Sequence, residues 1–338
     1  MESPGPVAVG ERRLERTALR RIEMPPHSAA RGGQRRDQAG GGVQRPHRWD
    51  GVDDLAIPAI LEGAGGAFAG RVYVHSGASG AVLNVVDGAP FDLSGYSTAG
   101  AGDVDGDGTP DYVVGAPSFS SSAPPAGRVV VYSGADHSVL HEFHPGEASF
   151  YGASVSGAGD VSRDEYDDVL IGAPRADFAG EDAGRAYVYS GSDGSLLGTF
   201  DGRTDGDLLG SAVGEVGDIG GDGSSDVVVG AQGNGGAAYA LSGDRMRVLH
   251  HLRPRPGSGN NFAQFLASGA GDVDADGVPD VFVGDYDGGP GDNFGTGAAT
   301  CTPVRPVARF TSCVRRLQVT ASVRDAAPAT STAMAMPT

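Results

Sequence analysis

The sequence predicts an all-β fold of repeated four-stranded antiparallel sheets, the blades of a β-propeller that is incomplete in this chain. Three observations predict it. Glycine accounts for 57 of 338 residues and aromatics for only 7%, which favours tight turns and short strands over helices. An aspartate-rich loop returns with its first residue at Asp103, Asp160, Asp218 and Asp272, at spacings of 57, 58 and 54 residues, and self-similarity at such a period marks a repeat architecture. Each loop runs into a short apolar segment and, further on, into a second patterned segment with a turn at its centre.

The apolar segments are Tyr112–Gly115, Val169–Gly172, Val227–Gly230 and Val281–Gly284, with an earlier copy at Leu55–Ile57 behind Asp50 and Asp54. Apolar residues at consecutive positions predict strands buried on both faces. The second element reads RVYVHSGASGAVL from Arg71, RVVVYSGADHSVL from Arg128, RAYVYSGSDGSLL from Arg185 and AAYALSGDRMRVL from Ala237. Alternating apolar residues around a Ser-Gly turn predict a β-hairpin. Each unit is therefore strand, acidic loop, strand, connection, strand, turn, strand, and four antiparallel strands per period make one propeller blade. Tyr73, Tyr132, Tyr187 and Tyr239 read as one recurring position of the third strand, packed in the core or between blades.

Charge is partitioned along the chain. Residues 50–298 carry 10 Arg and 37 acidic residues, a net of −27, whereas residues 1–49 are net +5 and residues 299–338 net +4. An acidic middle repels phosphate and excludes nucleic acid as a partner class; it suits cations. No apolar run has membrane-spanning length, and the N-terminus, with ERRLERTALRR, lacks the apolar stretch of a signal peptide. Cys301 and Cys313 lie in the basic tail, so the acidic region relies on no disulfide.

The acidic loops are candidate Ca²⁺ sites. Asp103, Asp105, Asp107 and Asp111 occupy positions 1, 3, 5 and 9 of a D-x-D-x-D-G-x-x-D loop. Hard Ca²⁺ takes about six to eight oxygens at roughly 2.3–2.6 Å, and alternate positions of a curling loop can point inward together. Gly108 permits the sharp turn that aims the Thr109 carbonyl at the ion. Asp272, Asp274, Asp276, Asp280 and the Val278 carbonyl form a second complete set. In the loop from Asp160, Ser162 replaces the second aspartate and Glu165 the glycine, leaving Asp164 and Asp168; in the loop from Asp218, Gly220 removes the third-position ligand, leaving Asp222 and Asp226. An EF-hand is excluded, because its twelfth position needs a glutamate and here holds Val114 or Val283 inside a predicted strand.

These residues resemble the FG-GAP repeat family, the blades of the integrin α-chain propeller and its bacterial relatives. FYGASVSGAGD from Phe150 and LLGSAVGEVGD from Leu208 occupy the Phe-Gly element, and Gly-Ala-Pro stands at Gly115–Pro117 and Gly172–Pro174, with Gly-Ala-Gln at Gly230. The resemblance covers roughly residues 50–298 and implies loops that bind calcium through four side chains and one carbonyl. It also implies seven blades in an intact propeller, where this chain shows the end of one, three whole ones and the start of a fifth.

Other constellations carry less. His137, His141 and His144 cluster in sequence but fall in a turn and on or beyond a strand, which suits solvated histidines better than a zinc site. His250 and His251 are adjacent on a strand and face opposite ways. No nucleophile elbow is present, and the loop aspartates fit metal ligation better than acid–base work. The expected function is non-enzymatic: a Ca²⁺-binding propeller of an exported or cell-surface protein, acting in adhesion or in binding a protein or glycan. The alternatives are an accessory region of a larger secreted hydrolase and a frameshifted gene fragment without function.

The last alternative rests on the ends. Residues 1–49 and 299–338 are expected to be disordered or out-of-frame, around a partial propeller at 50–298. The chain contains no lysine, so GC-rich codons are a reasonable choice. Back-translated with them and read two bases on, ATSTAMAMPT from Ala329 becomes D-V-D-G-D-G-D-A-D, a full calcium loop. Its first aspartate overlaps Thr330, 58 residues after Asp272. The same shift, with synonymous codons chosen position by position, turns the stretch from Leu317 into A-G-D-S-F-G and that from Thr300 into V-H-A-G-A-T-G-G-S-V-H-V-L, a blade hairpin. On this reading Cys301 and Cys313 have no role.

Overall fold

The computed structural model describes residues 52–118, 127–145, 149–254, 262–285 and 298–302. The chain divides into two units, residues 1–37 and 38–338, and every described residue lies in the second. Five antiparallel sheets follow one another along it, with no helix among the described residues. The first contains β1 (Leu55–Ala59), β2 (Arg71–His75) and β3 (Val82–Asp87). The second contains β4 (Ser97–Gly102), β5 (Asp111–Ala116), β6 (Arg128–Tyr132) and β7 (Val139–Phe143). The third contains β8 (Ser154–Gly159), β9 (Asp168–Ala173), β10 (Arg185–Tyr189) and β11 (Leu196–Asp201). The fourth contains β12 (Leu209–Gly217), β13 (Asp226–Ala231), β14 (Ala237–Leu241) and β15 (Val248–Leu252), and the fifth β16 (Phe262–Gly271), β17 (Asp280–Asp285) and β18 (Ala298–Thr302). Each sheet keeps sequence order from first strand to last. This is the blade pattern read from the repeats, with three complete blades flanked by two of three described strands.

The blades stack face to face, and this explains the apolar runs. β5, β9 and β13 are buried at every position. Val113, Val131 and Phe143 of the second blade share a core with Val155, Ile171 and Tyr187 of the third. Leu170 and Val188, also of the third blade, join Val227, Val229 and Leu241 of the fourth. Alternate residues of one strand thus serve two different cores, and each fully buried Val or Leu contributes about 1.5–3 kcal/mol.

The Phe-Gly and Gly-Ala-Pro elements meet at glycines. Gly152 donates to the Gly172 carbonyl of its own blade at 3.0 Å. The Gly152 carbonyl in turn lies where a side chain on Gly115 of the preceding blade would be, 2.2 Å from a Cβ placed there, and the Gly210 carbonyl stands 2.1 Å from the corresponding point on Gly172. Adjacent blades therefore touch backbone to backbone, which only glycine permits. Parallel bridges from Gly127 to Tyr151 and from Gly184 to Leu209 add a second tie between neighbours.

One expectation changes. Tyr73, Tyr187 and Tyr239 do share one register, each opposite the third residue of its apolar strand, but Val130 holds that place in the second blade. Tyr132 pairs with Tyr112 two residues further along and corresponds to Tyr189. The hairpin segments RVVVY and RAYVY offer two tyrosine positions, and only strand pairing separates them. β18 pairs with β17 from Ala298 to Thr302. Residues 1–49 and 303–338, with Cys313, lie outside the described residues.

Candidate metal centres in the interstrand loops

Each acidic loop joins the first and second strands of a blade. Its ninth residue is both the end of the loop and the first residue of the buried strand, so these strands begin one position earlier than the apolar run, at Asp111, Asp168, Asp226 and Asp280. In the second blade Asp111 Oδ2 accepts the Val104 N–H at 2.8 Å and Oδ1 accepts the Gly134 N–H at 2.9 Å. Gly134 belongs to the Ser-Gly turn between β6 and β7, so this carboxylate ties the loop to the hairpin beside it. Asp168 does the same with Gly191 and Asp226 with Gly243, both at 3.0 Å. Asp54 repeats the bond to Gly77 at 3.0 Å, a site role that the sequence analysis did not assign.

The rest of the loop is wound by aspartates capping amides. Gly108 N–H reaches Asp103 Oδ2 at 3.0 Å, Asp107 N–H reaches Asp105 Oδ1 at 3.0 Å, and Thr109 N–H reaches Asp107 Oδ1 at 2.7 Å. The fifth blade copies this: Gly277 on Asp272, Asp276 on Asp274 and Val278 on Asp276. Gly108 and Gly277 are left-handed at φ +87° and +89°, as the turn required. Short polar side chains bonding amides a few residues on are what make such a loop curl.

Two loops gather carboxylates and two do not. Oxygens of Asp103, Asp105 and Asp111 lie within 4.8 Å of one another, and so do those of Asp272, Asp274 and Asp276. Two ligands each about 2.4 Å from one Ca²⁺ are at most about 4.8 Å apart, so both triplets fit that ion. Asp103 Oδ1 and Asp274 Oδ2 are buried and have no hydrogen-bond partner, a costly state for a carboxylate unless a cation supplies the missing contact. Burial pushes Asp111 up to about 7 against the pull of the Gly134 and Val104 amides, and the charges of Asp105 and Asp103 push the same way. Asp105 is raised by burial, with Asp107 and Asp103 adding to it; Asp274 is raised by desolvation and then by Asp276. Asp107 and Asp280 stand outside their triplets.

In the loop from Asp160 the carboxylates are taken up by the protein itself. Asp160 accepts the amides of Asp164 and Glu165, both at 3.1 Å. Asp164 accepts Tyr166 N–H at 3.1 Å and Ser192 Oγ–H at 2.8 Å. Asp168 Oδ2 accepts two loop amides, Val161 at 2.9 Å and Ser162 at 3.0 Å. The loop from Asp218 repeats this on Asp226 with Ile219 and Gly220, at 2.9 and 2.8 Å. Where the third position lacks a carboxylate, its amide turns onto the ninth-position oxygen. Asp160, Ser162, Asp164 and Asp168, like Asp218, Asp222 and Asp226, are not gathered into a carboxylate triplet. Asp222 is held below the usual range by the Ser224 hydroxyl, by the Ser224 N–H and, beyond these, by Arg163.

The histidines form no centre among the described residues. His137 sits in the connection between β6 and β7, and His144 lies 3.3 Å from Glu142. His251 stacks on Tyr239 at 4.6 Å.

The fold and the loops together define a class, acidic-loop propeller blades, and comparison with known proteins places the chain within it. The FG-GAP repeat matches residues 94–132 and 151–189, each span running from the Phe-Gly element through an acidic loop to the third strand. This chain is an FG-GAP repeat protein. It is 32% identical over 248 residues to integrin alpha-V of Gallus gallus, covering 67% of this chain and 22% of that one. It is 34% identical over 217 residues to integrin alpha-IIb of Mus musculus, covering 57% and 20%. The chain thus spans about a fifth of the length of these relatives. Among solved structures, the rhamnogalacturonan lyase PL11 of Bacillus licheniformis overlaps 72% of this chain and 46% of its own at a TM-score of 0.44 and 12% identity.

Proposed function

We propose that the loops 103–111 and 272–280 each hold Ca²⁺, and that the chain is a non-enzymatic, calcium-stabilised propeller segment of an exported or cell-surface protein that binds a protein or glycan in adhesion. The observation that carries the calcium reading is the pair of buried, unpartnered oxygens, Asp103 Oδ1 at the first position of one carboxylate triplet and Asp274 Oδ2 at the third position of the loop that forms the other. Asp103, Asp105 and Asp111 would hold one ion and Asp272, Asp274 and Asp276 the other. The carbonyls of Thr109 and Val278 and the carboxylates of Asp107 and Asp280 are close in sequence and would bring each loop to five donor groups of the all-oxygen kind that Ca²⁺ prefers. The adhesion reading is supported by similarity to integrin alpha chains.

Two experiments test these readings separately. Thermal melting in calcium and in chelator tests the first: at free calcium about 100-fold above Kd each site adds about 2.7 kcal/mol, so the melting temperature should fall by several degrees in chelator. An unchanged melt removes the calcium reading. Retention of the immobilised chain on arrays of glycans and matrix proteins, with and without calcium, tests the second. Calcium-dependent retention of a defined ligand is expected, and failure to retain any sinks the adhesion reading.

A further inference from the structure

The four loops differ at their fourth position. Gly106 and Gly221 stand there at φ +73° and +70°, and Ala275 at +61°; Arg163 adopts the same left-handed conformation at +62°. A long side chain persists at such a site when its surroundings fix it. Here they do. Arg163 Nη2 lies 2.9 Å from Asp222 Oδ1 of the next loop and 3.4 Å from Ser224 Oγ. The receiving loop is the one whose third-position carboxylate is replaced by Gly220 and whose Asp226 is already bonded by loop amides. A guanidinium therefore reaches a loop short of metal ligands, across the junction of two blades.

We propose that Arg163 takes the place of a calcium ion at the 218–226 loop, so that the junction of the third and fourth blades is closed by an internal cation while loops 103–111 and 272–280 are closed by metal. This rests on the calcium reading of those two loops. Its chemistry is simple: one fixed positive charge beside Asp222 offsets that carboxylate and repels a divalent ion from the same place. It makes this junction indifferent to calcium concentration, unlike its neighbours.

Restoring the missing ligand tests the proposal in the full chain. Bound ions are counted by native mass spectrometry and terbium luminescence, with circular dichroism as the check on folding. The unmodified chain should bind two ions, and Asp222→Asn should still bind two. Gly220→Asp combined with Arg163→Gly should bind a third ion at least about 10-fold tighter than Gly220→Asp alone. Gly220→Asp with Arg163→Lys, which keeps the charge, should resemble Gly220→Asp alone. Loss of an ion in Asp222→Asn, no third ion in the Arg163→Gly background, or equal third-site affinity with and without Arg163 overturns the proposal. Absence of ions at the 103 and 272 loops would instead remove the calcium reading, and the affinity ratio at the third site would still report on Arg163.

Discussion

Asp103 and Asp167, 64 residues apart, exchange two hydrogen bonds: Asp103 N–H donates to Asp167 Oδ2 at 2.9 Å, and Asp167 N–H donates to the Asp103 carbonyl at 3.0 Å. The first loop position of one blade is thereby locked to the eighth position of the next loop. Ser225 repeats half of the arrangement, donating its N–H to the Asp160 carbonyl at 3.2 Å. Asp167 is buried, so Asp167→Ala leaves the Asp103 amide without this acceptor. The expected loss is about 1–3 kcal/mol, read by equilibrium urea unfolding, and Asp167→Asn, which keeps an acceptor oxygen, should lose less. Equal stability of the alanine variant would show that the tie between blades is dispensable.

The Ser-Gly turns carry a sharper constraint. A Cβ on Gly191 would lie 2.1 Å from the Asp167 carbonyl, and the corresponding distances at Gly77, Gly134 and Gly243 are 1.8, 2.0 and 2.0 Å, each to the backbone of the residue preceding the ninth-position aspartate. Gly223, at φ +88°, has nothing within 4 Å. Gly191→Ala must push strand backbone aside and should cost more than about 2 kcal/mol, whereas Gly223→Ala meets only its left-handed conformation, about 1–2 kcal/mol. Thermal unfolding of the two variants should rank them in that order.

The recurring glycines were legible in the sequence, but their reason was not. Blade period, strand positions and the first-, third- and ninth-position aspartates follow from spacing, because each depends on residues within one repeat. Asp167, Arg163 and Asp54 act on a neighbouring loop or turn, and nothing local marks them. In the loop from Asp160 the bond from Ser192, in the hairpin turn, to Asp164 is likewise not marked by anything local. Tyr132 shows the same limit, since hairpin periodicity alone does not fix which of two tyrosines faces which strand.

The two loops proposed to hold calcium lie on the second and fifth blades, with the third and fourth between them. Asp105→Ala should remove one bound ion and Asp274→Ala the other, each leaving the remaining affinity within about 2-fold, since distant sites behave additively. Titration calorimetry of both variants checks this. Loss of both ions from either substitution would show the loops to be coupled.

A pH dependence arises away from the carboxylate triplets. Burial raises Asp207, but Asn234 and Thr204 side chains and the amides of Arg203 and Thr204 outweigh it, and the net pKa is lowered. A depressed folded-state carboxylate adds stability above the unfolded pKa, and that stability is lost as pH falls through the folded one. Asp207→Asn should therefore cost about 1 kcal/mol at neutral pH and close the gap to the parent as pH drops below about 4. A gap that stays constant with pH would assign the loss to packing.

The final prediction concerns the coding sequence near Thr300. In the fifth blade Phe282 pairs with Cys301 and Val283 with Thr300; in the first, Ala56 pairs with Val74 and Ile57 with Tyr73. Cys301 therefore stands at the strand position of Val74, and Thr302 at that of His75. Read two bases on, with GC-rich codons, the residues overlapping Cys301 and Thr302 are Val and His, followed by Ala-Gly where the first blade has Ser76-Gly77. With that choice of codons, register from strand pairing and residue identity from the shifted frame agree. The expected outcome is that the gene, read in the shifted frame from about codon 300, encodes the fourth strand of this blade, then a Phe-Gly element, and then a D-x-D-x-D-G loop beginning at codon 330. Sequencing the coding DNA decides it. A shifted frame containing stop codons before that loop, or lacking these motifs, ends the proposal, whereas their presence predicts that a single-base repair near codon 300 extends the propeller beyond the fifth blade.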